Sequence, residues 1–229
     1  CRFSCQSPWG DCDGDPINGC EIDTTNDIFN CGSCGTSCGT GGVCALAACD
    51  GVSKVAAGLE HTCAVREGGR VACWGENSNG EIGSPAGADI DRPQEVFGLP
   101  GGAIDIAVGP QHSCAVVEVG AMNDVYCWGA NTSGQLGDGT MASSDVPVRA
   151  SLPVAYSARR VVAGSGHTCA IATSGSGGPE VFCWGWNGFG QVGTGTVGSN
   201  VLTPSPVLTT GAMPLEAADI VAGDQFTCA

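Results

Sequence analysis

The 229 residues carry 23 acidic side chains against 8 lysines and arginines, a formal net charge of −15. That balance argues against nucleic acid, whose recognition needs a basic footprint, and against an anionic membrane surface; it suits solubility and cation binding. Sixteen cysteines indicate a disulfide-forming compartment, and no apolar run approaches the ~18 residues that would span a bilayer.

Residues 1–49 form the first module. Nine cysteines in 49 residues, few apolar side chains and no periodicity predict an irregular unit held by disulfides rather than by a core. The run Asp11-Cys12-Asp13-Gly14-Asp15-Pro16-Ile17-Asn18-Gly19-Cys20-Glu21, followed by Cys31-x-x-Cys34-x-x-x-Cys38 and the closing pair Cys44 and Cys49, resembles the Cys-rich repeats of large surface and secreted proteins of myxobacteria and their relatives. Cys1-Arg2-Phe3-Ser4-Cys5 resembles the ending of a preceding unit, so a longer array is expected upstream. The resemblance implies no activity.

Two metal readings arise in this module. Cys31, Cys34 and Cys38 have a spacing that zinc or an iron–sulfur cluster could use, but an oxidising compartment favours disulfides at these positions, with connectivity left open. Asp11, Asp13 and Asp15 alternate, with Asn18 and Glu21 following, and hard oxygen ligands at alternate positions of a tight loop suit Ca²⁺. The loop departs from an EF-hand: Pro16 stands where glycine is needed and no glutamate occupies the twelfth position. Calcium is therefore the one expected cofactor, and a solvated Asx-turn loop is the alternative.

From residue 50 the chain repeats. Gly58-Leu59-Glu60-His61-Thr62-Cys63-Ala64-Val65 recurs from Gly109, from Gly164 and, in part, from Gly223; its cysteines, Cys63, Cys114, Cys169 and Cys228, are 51, 55 and 59 residues apart. Val71-Ala72-Cys73-Trp74-Gly75 recurs from Val125 and from Val181, each copy followed by Asn-x-x-Gly-x-φ-Gly, where φ is apolar. Each repeat reads as four strands. An apolar run ending in glycine comes first, and a hairpin turning at Gly68-Gly69, Gly120-Ala121 or Ser176 supplies the next two. A loop requiring positive φ then leads to a strand containing proline, as at Pro93 and Pro147. A fixed period of this length with four short strands predicts propeller blades.

The recurring AxGxxHTCA…CWGxNxxGQxG pattern over about residues 51–229 resembles the regulator of chromosome condensation family. The resemblance implies a seven-bladed β-propeller, of which this chain holds three blades (about 50–101, 102–157 and 158–216) and the start of a fourth (217–229). The fold class expected is thus all-β, part of a propeller behind a disulfide-rich irregular module. The blade cysteines are not general to the family. Cys63 and Cys73, Cys114 and Cys127, and Cys169 and Cys183 stand symmetrically on the two strands of each hairpin, close enough for cross-strand disulfides.

Catalysis finds little support. His61, His112 and His167 share one repeat position, at which the fourth copy has Phe226, so a structural role is expected and no enzyme. Trp74, Trp128 and Trp184 recur and read as packing between blades, whereas Trp186 and Phe189 sit in a variable loop and are candidate contact residues. Asn131-Thr132-Ser133 matches a glycosylation acceptor by accident of a turn asparagine.

The function expected is that of a non-enzymatic, extracellular structural or adhesive protein of a bacterial surface or filament. The alternative is a soluble, inhibitor-like protein-binding propeller. Partners are expected to be proteins or copies of the chain itself, with no nucleic acid and no membrane span. Because three blades do not close a ring, the missing blades are expected from downstream residues or from neighbouring subunits.

Overall fold

The computed structural model describes residues 51–175 and 177–229, together with four two-residue strands earlier in the chain. The chain divides into two compact units, residues 1–53 with 66–68, and residues 54–65 with 69–229. In the first unit β1 (Trp9–Gly10) pairs antiparallel with β2 (Ile22–Asp23), and β3 (Cys44–Ala45) with β4 (Ala48–Cys49), which sets Cys44 opposite Cys49 in register. The calcium set Asp11, Asp13, Asp15, Asn18 and Glu21, the Cys31, Cys34 and Cys38 motif, and Ser176 lie outside the described residues.

Three four-stranded antiparallel sheets follow, each with its strands side by side in chain order. The first is β5 (Val52–Ala57), β6 (His61–Arg66), β7 (Val71–Gly75) and β8 (Ile90–Glu95). The second is β9 (Ala103–Val108), β10 (His112–Val119), β11 (Met122–Gly129) and β12 (Ser144–Arg149). The third is β13 (Tyr156–Ala163), β14 (His167–Ser174), β15 (Pro179–Gly185) and β16 (Val201–Pro206). A final pair, β17 (Val221–Ala222) and β18 (Thr227–Cys228), begins a fourth. These are propeller blades: three whole and the inner strands of another. The third begins at Tyr156, slightly ahead of the repeat start read from sequence.

The strand chemistry follows from position in the blade. The second strands β10 and β14 are buried almost throughout because neighbouring strands cover both their faces, and each has six consecutive buried residues, led by histidine and a hydroxyl residue and then apolar. Pro93, Pro147 and Pro204 fall on the outermost strands, where a missing N–H costs no ladder bond. A bulge recurs where the third strand leaves its outer neighbour, between Cys73 and Gly75, Cys127 and Gly129, and Cys183 and Gly185. Its glycine has φ of +101° at Gly129 and +99° at Gly185. A Cβ there would lie 2.6 Å from the Gln111 carbonyl oxygen or 2.5 Å from that of Gly166, so the Trp-Gly pair needs its glycine twice over.

The cysteine pairs meet as expected. Cys63 opposes Cys73, Cys114 opposes Cys127 and Cys169 opposes Cys183, with Cα–Cα separations of 4.1, 4.0 and 4.1 Å, and each pair is a disulfide. All six residues are wholly buried, so the bridges are part of the inter-blade core. Trp128 and Trp184 are fully buried between blades, while Trp74 is only half-buried.

The first strands also carry a charge pattern from blade to blade. Lys54, Asp105, Arg160 and Asp219 each stand four residues before a repeat glycine, and their charges alternate. Lys54 Nζ pairs with Asp105 Oδ1 at 2.7 Å, and Arg160 pairs with Asp219. Asp105 Oδ2 accepts the buried Val161 N–H at 2.9 Å, joining the second blade to the third. Replacing Asp105 with alanine orphans that N–H and is expected to cost about 1–3 kcal/mol, read from the urea midpoint. Asp105→Asn, which retains an acceptor, should recover most of it, because the half-exposed Lys54 contributes little.

Candidate protein-binding face

Two sets of loops gather at one end of the stacked blades. The turn between first and second strands lies beside the start of the long loop between third and fourth. Glu76 N donates to Glu60 O at 3.0 Å, Ala130 N to Gln111 O at 2.8 Å and Trp186 N to Gly166 O at 2.7 Å. Each long loop closes around a buried asparagine. Asn77, Asn131 and Asn187 accept through Oδ1 from the N–H of Ile82, Leu136 and Val192, and donate through Nδ2 to Pro85, Thr140 and Thr196 carbonyls. Asn131 has no exposed surface, which rules its side chain out as a glycan acceptor in the folded chain and agrees with the reading of Asn131-Thr132-Ser133 as accidental.

The three histidines form a ladder from blade to blade. His61 Nε2 bonds to Ser113 Oγ at 2.9 Å, His112 Nε2 to Thr168 Oγ1 at 3.0 Å and His167 Nε2 to Thr227 Oγ1 at 2.9 Å. Each hydroxyl donates its single hydrogen onward, Ser113 to Glu81 O at 2.9 Å, Thr168 to Gln135 O at 2.8 Å and Thr227 to Gln191 O at 3.2 Å. A hydroxyl that has given its proton away can only accept from the imidazole, so Nε2 carries the hydrogen and Nδ1 is the bare nitrogen. The Nδ1 atoms are buried without partners, and a Cβ on Gly109 or Gly164 would lie 2.6 Å from that of His112 or His167. Burial lowers the pKa of His61 to about 4, of His112 to about 3 and of His167 to about 4. Neutral rings locked in this way hold the blades together. At the fourth position Phe226 packs its ring on Gly223 but has no group to extend the ladder.

The residues that differ from blade to blade face outward at this end. Trp186 and Phe189 meet edge to face, with centroids 5.3 Å apart and planes at 73°. The indole rests against Gly188, and Phe189 leaves 68% of its surface in water. The structure thus brings the two candidate contact residues into one aromatic knob. On the first blade Glu60, Glu76 and Asp89 converge. A hydrogen bond with Glu76 and repulsion from it, then from Asp89, raise the Glu60 pKa above the usual carboxylate value. This cluster escaped sequence reasoning because the three acids are far apart in the chain; the loop register of Glu76 N on Glu60 O brings the first two together.

The description regulator of chromosome condensation (RCC1) repeat matches residues 68–116, 123–171 and 180–229. The chain belongs to the RCC1-repeat family. The match is framed across blades, since residues 68–116 run from the third strand of the first blade into the second strand of the next. The ultraviolet-B receptor UVR8 of Arabidopsis thaliana is 32% identical over 152 residues, covering 66% of this chain and 33% of the receptor. Human E3 ubiquitin-protein ligase HERC2 is 37% identical over 125 residues, 54% of this chain but 2% of the ligase. The chain therefore spans a third or less of these relatives. Among solved structures, Prp20p from Saccharomyces cerevisiae, described with its binding to Gsp1p and histones, superposes with a TM-score of 0.64 at 22% identity. It covers 77% of this chain and 42% of Prp20p, and shows the shared fold.

Proposed function

We propose that this RCC1-repeat chain is a non-enzymatic protein-binding module, a structural or adhesive part of a bacterial surface or filament working outside the cell. The observation that carries the binding role is the exposed Trp186–Phe189 knob at the loop end, where Glu60, Glu76 and Asp89 also gather. Such a face suits a protein segment that offers a basic stretch and an apolar anchor, because aromatic anchors dominate interface energies and charge steers encounter. The net charge of −15 keeps nucleic acid off. That Prp20p binds Gsp1p and histones supports protein binding by blades of this type. The three buried disulfides support an oxidising location. The histidine ladder supports a non-enzymatic role, since every imidazole is neutral and committed to a neighbouring blade.

The inhibitor-like reading would use the same face in a freely soluble protein, and location separates the two. Fractionating the producing cells into medium, envelope and cytosol should place the chain in the envelope; a purely cytosolic chain with free blade thiols would end the extracellular proposal. Peptide display on the oxidised protein should enrich segments with arginine or lysine beside an aromatic residue. The doubly substituted W186A/F189A protein is expected to bind them at least tenfold more weakly, while unchanged affinity would move the contact elsewhere. Calcium at Asp11, Asp13, Asp15, Asn18 and Glu21 belongs to the same proposal on sequence grounds. A chelator-sensitive melting temperature at millimolar Ca²⁺ would support it, and an unchanged one would remove it.

A further inference from the structure

Each long loop is tied by the same bond. The N–H groups of Asn79, Ser133 and Phe189 donate to the side-chain oxygen two residues on, at 2.6 Å to Glu81 Oε2, 2.9 Å to Gln135 Oε1 and 2.9 Å to Gln191 Oε1. The first blade differs from the others in having an acid at this position. Glu81 is wholly buried, and its other oxygen, Oε1, accepts from Asn79 Nδ2 at 3.3 Å. The same Nδ2 donates to Ser78 Oγ at 3.0 Å, and Ser78 Oγ passes its own hydrogen to Glu76 Oε1 at 2.8 Å. The Asn79 amide thus divides its hydrogens between two carboxylates, directly to Glu81 and through Ser78 to Glu76.

Asn79 is also followed by glycine, as are Asn18 and Asn187; the first of these pairs, Asn18-Gly19, lies outside the described residues. The other two are held differently. Asn187 is fully buried, its Oδ1 accepting from Val192 N and its Nδ2 donating to Thr196 O, so its side chain cannot turn toward the Gly188 nitrogen. Asn79 is half-buried, and its amide bonds run to neighbours on the same loop tip. The Gly80 nitrogen is the most loosely held of its kind: its bond to Asn77 O is 3.4 Å long, against 3.0 Å from Gly134 to Asn131 and 3.2 Å from Gly190 to Asn187. Gly80 also packs on the second blade, since a Cβ there would lie 2.6 Å from Asp145 Cα, at the start of β12.

We infer that Asn79 is a site of spontaneous deamidation, and that the change loosens the first long loop from the second blade. Gly80 N attacks Asn79 Cγ, a cyclic imide forms, and ammonia leaves with the proton lost by the attacking nitrogen. Water then opens the imide to aspartate or isoaspartate and is the only co-reactant. A following glycine, without a Cβ, lets the nitrogen reach the side chain. The product carboxylate has no hydrogen to donate. It stands where the amide stood, between Glu81 and Glu76, and like charges at this range repel, most strongly where burial excludes the screening of water. The repulsion falls on the residue next to Gly80, and so on the contact with Asp145.

The test incubates the intact oxidised chain at pH 8 and 37 °C and follows the peptides holding Asn79 and Asn187 by mass spectrometry. Asn79 should gain the roughly 1 Da of an amide turned to acid at least tenfold faster than Asn187, and urea should bring the two rates together, because only the fold separates them. N79D, which installs the charge without the reaction, should lower the melting temperature by about 3–6 °C. N79D/E81Q, with the glutamine that the other two repeats carry, should recover most of that loss; if N79D does not fold, recovery of a folded protein by E81Q reads the same repulsion. Asn187 reacting as fast as Asn79 in the folded chain would overturn the inference. So would an N79D protein that melts like its parent, or one that E81Q does not rescue.

Discussion

Acidification from pH 7 to pH 4 is expected to unfold the propeller repeats, and the histidine ladder is expected to drive it. In the folded chain His61, His112 and His167 have pKa values of about 4, 3 and 4 because burial opposes their charge, against roughly 6.5 in an unfolded chain. Above that unfolded value the rings are neutral in both states and contribute no pH dependence. Below it the unfolded chain takes up protons that the folded chain refuses, so stability falls with pH until the folded values are reached. One pKa unit is worth about 1.4 kcal/mol, so each ring removes about 3 kcal/mol by pH 4. The three together approach the whole stability of a typical domain, on the order of 5–15 kcal/mol. Urea unfolding at pH 7.5, 6.0 and 5.0 would show this slope. His112→Gln should lower the starting stability and also remove about a third of the slope. Stability flat between pH 7 and pH 5 would count against the ladder as the acid-sensitive element.

Much of this fold is legible in the sequence because the repeat states its own register. Cys63 with Cys73 and its two copies fix which strand positions face each other, and the structure pairs those residues. The histidine position already reads as structural, since Phe226 stands there in the fourth copy. What the single repeat does not reveal is contact between repeats. That His112 reaches Thr168, and that Asp105 caps the Val161 N–H, depends on how one blade stacks on the next. The alternation of Lys54, Asp105, Arg160 and Asp219 was open to view, but signs at one position mean nothing until the first strands are known to be neighbours. The Glu60 and Glu76 meeting depends on loop register in the same way. Trp186 and Phe189 were visible by their failure to recur, which is the sign of a residue freed from the blade's own packing.

Replacing blade disulfides by alanine pairs is expected to give a graded loss, smallest in the third blade. The bridged residues are 10, 13 and 14 positions apart. On loop-closure entropy alone each bridge contributes about 3 kcal/mol, nearly the same for all three. The difference must come from packing. Cys114 and Cys127 lie in a cluster closed by Trp184 of the following blade, and Cys63 and Cys73 in one closed by Trp128. Removing sulfur from such a site leaves a cavity, which adds about 1–2 kcal/mol. Cys169 and Cys183 pack with Val181, Val192 and Ile220, and among the described residues no tryptophan joins that cluster. The third site has less packing to lose and more freedom to relax. The expected order of destabilisation is therefore C114A/C127A and C63A/C73A ahead of C169A/C183A, with the first two on the order of 4–5 kcal/mol and the last on the order of 3 from the same two contributions. Urea midpoints under oxidising conditions give the order directly. Three equal losses would mean that chain entropy acts alone, and the largest loss at Cys169 and Cys183 would contradict the packing argument.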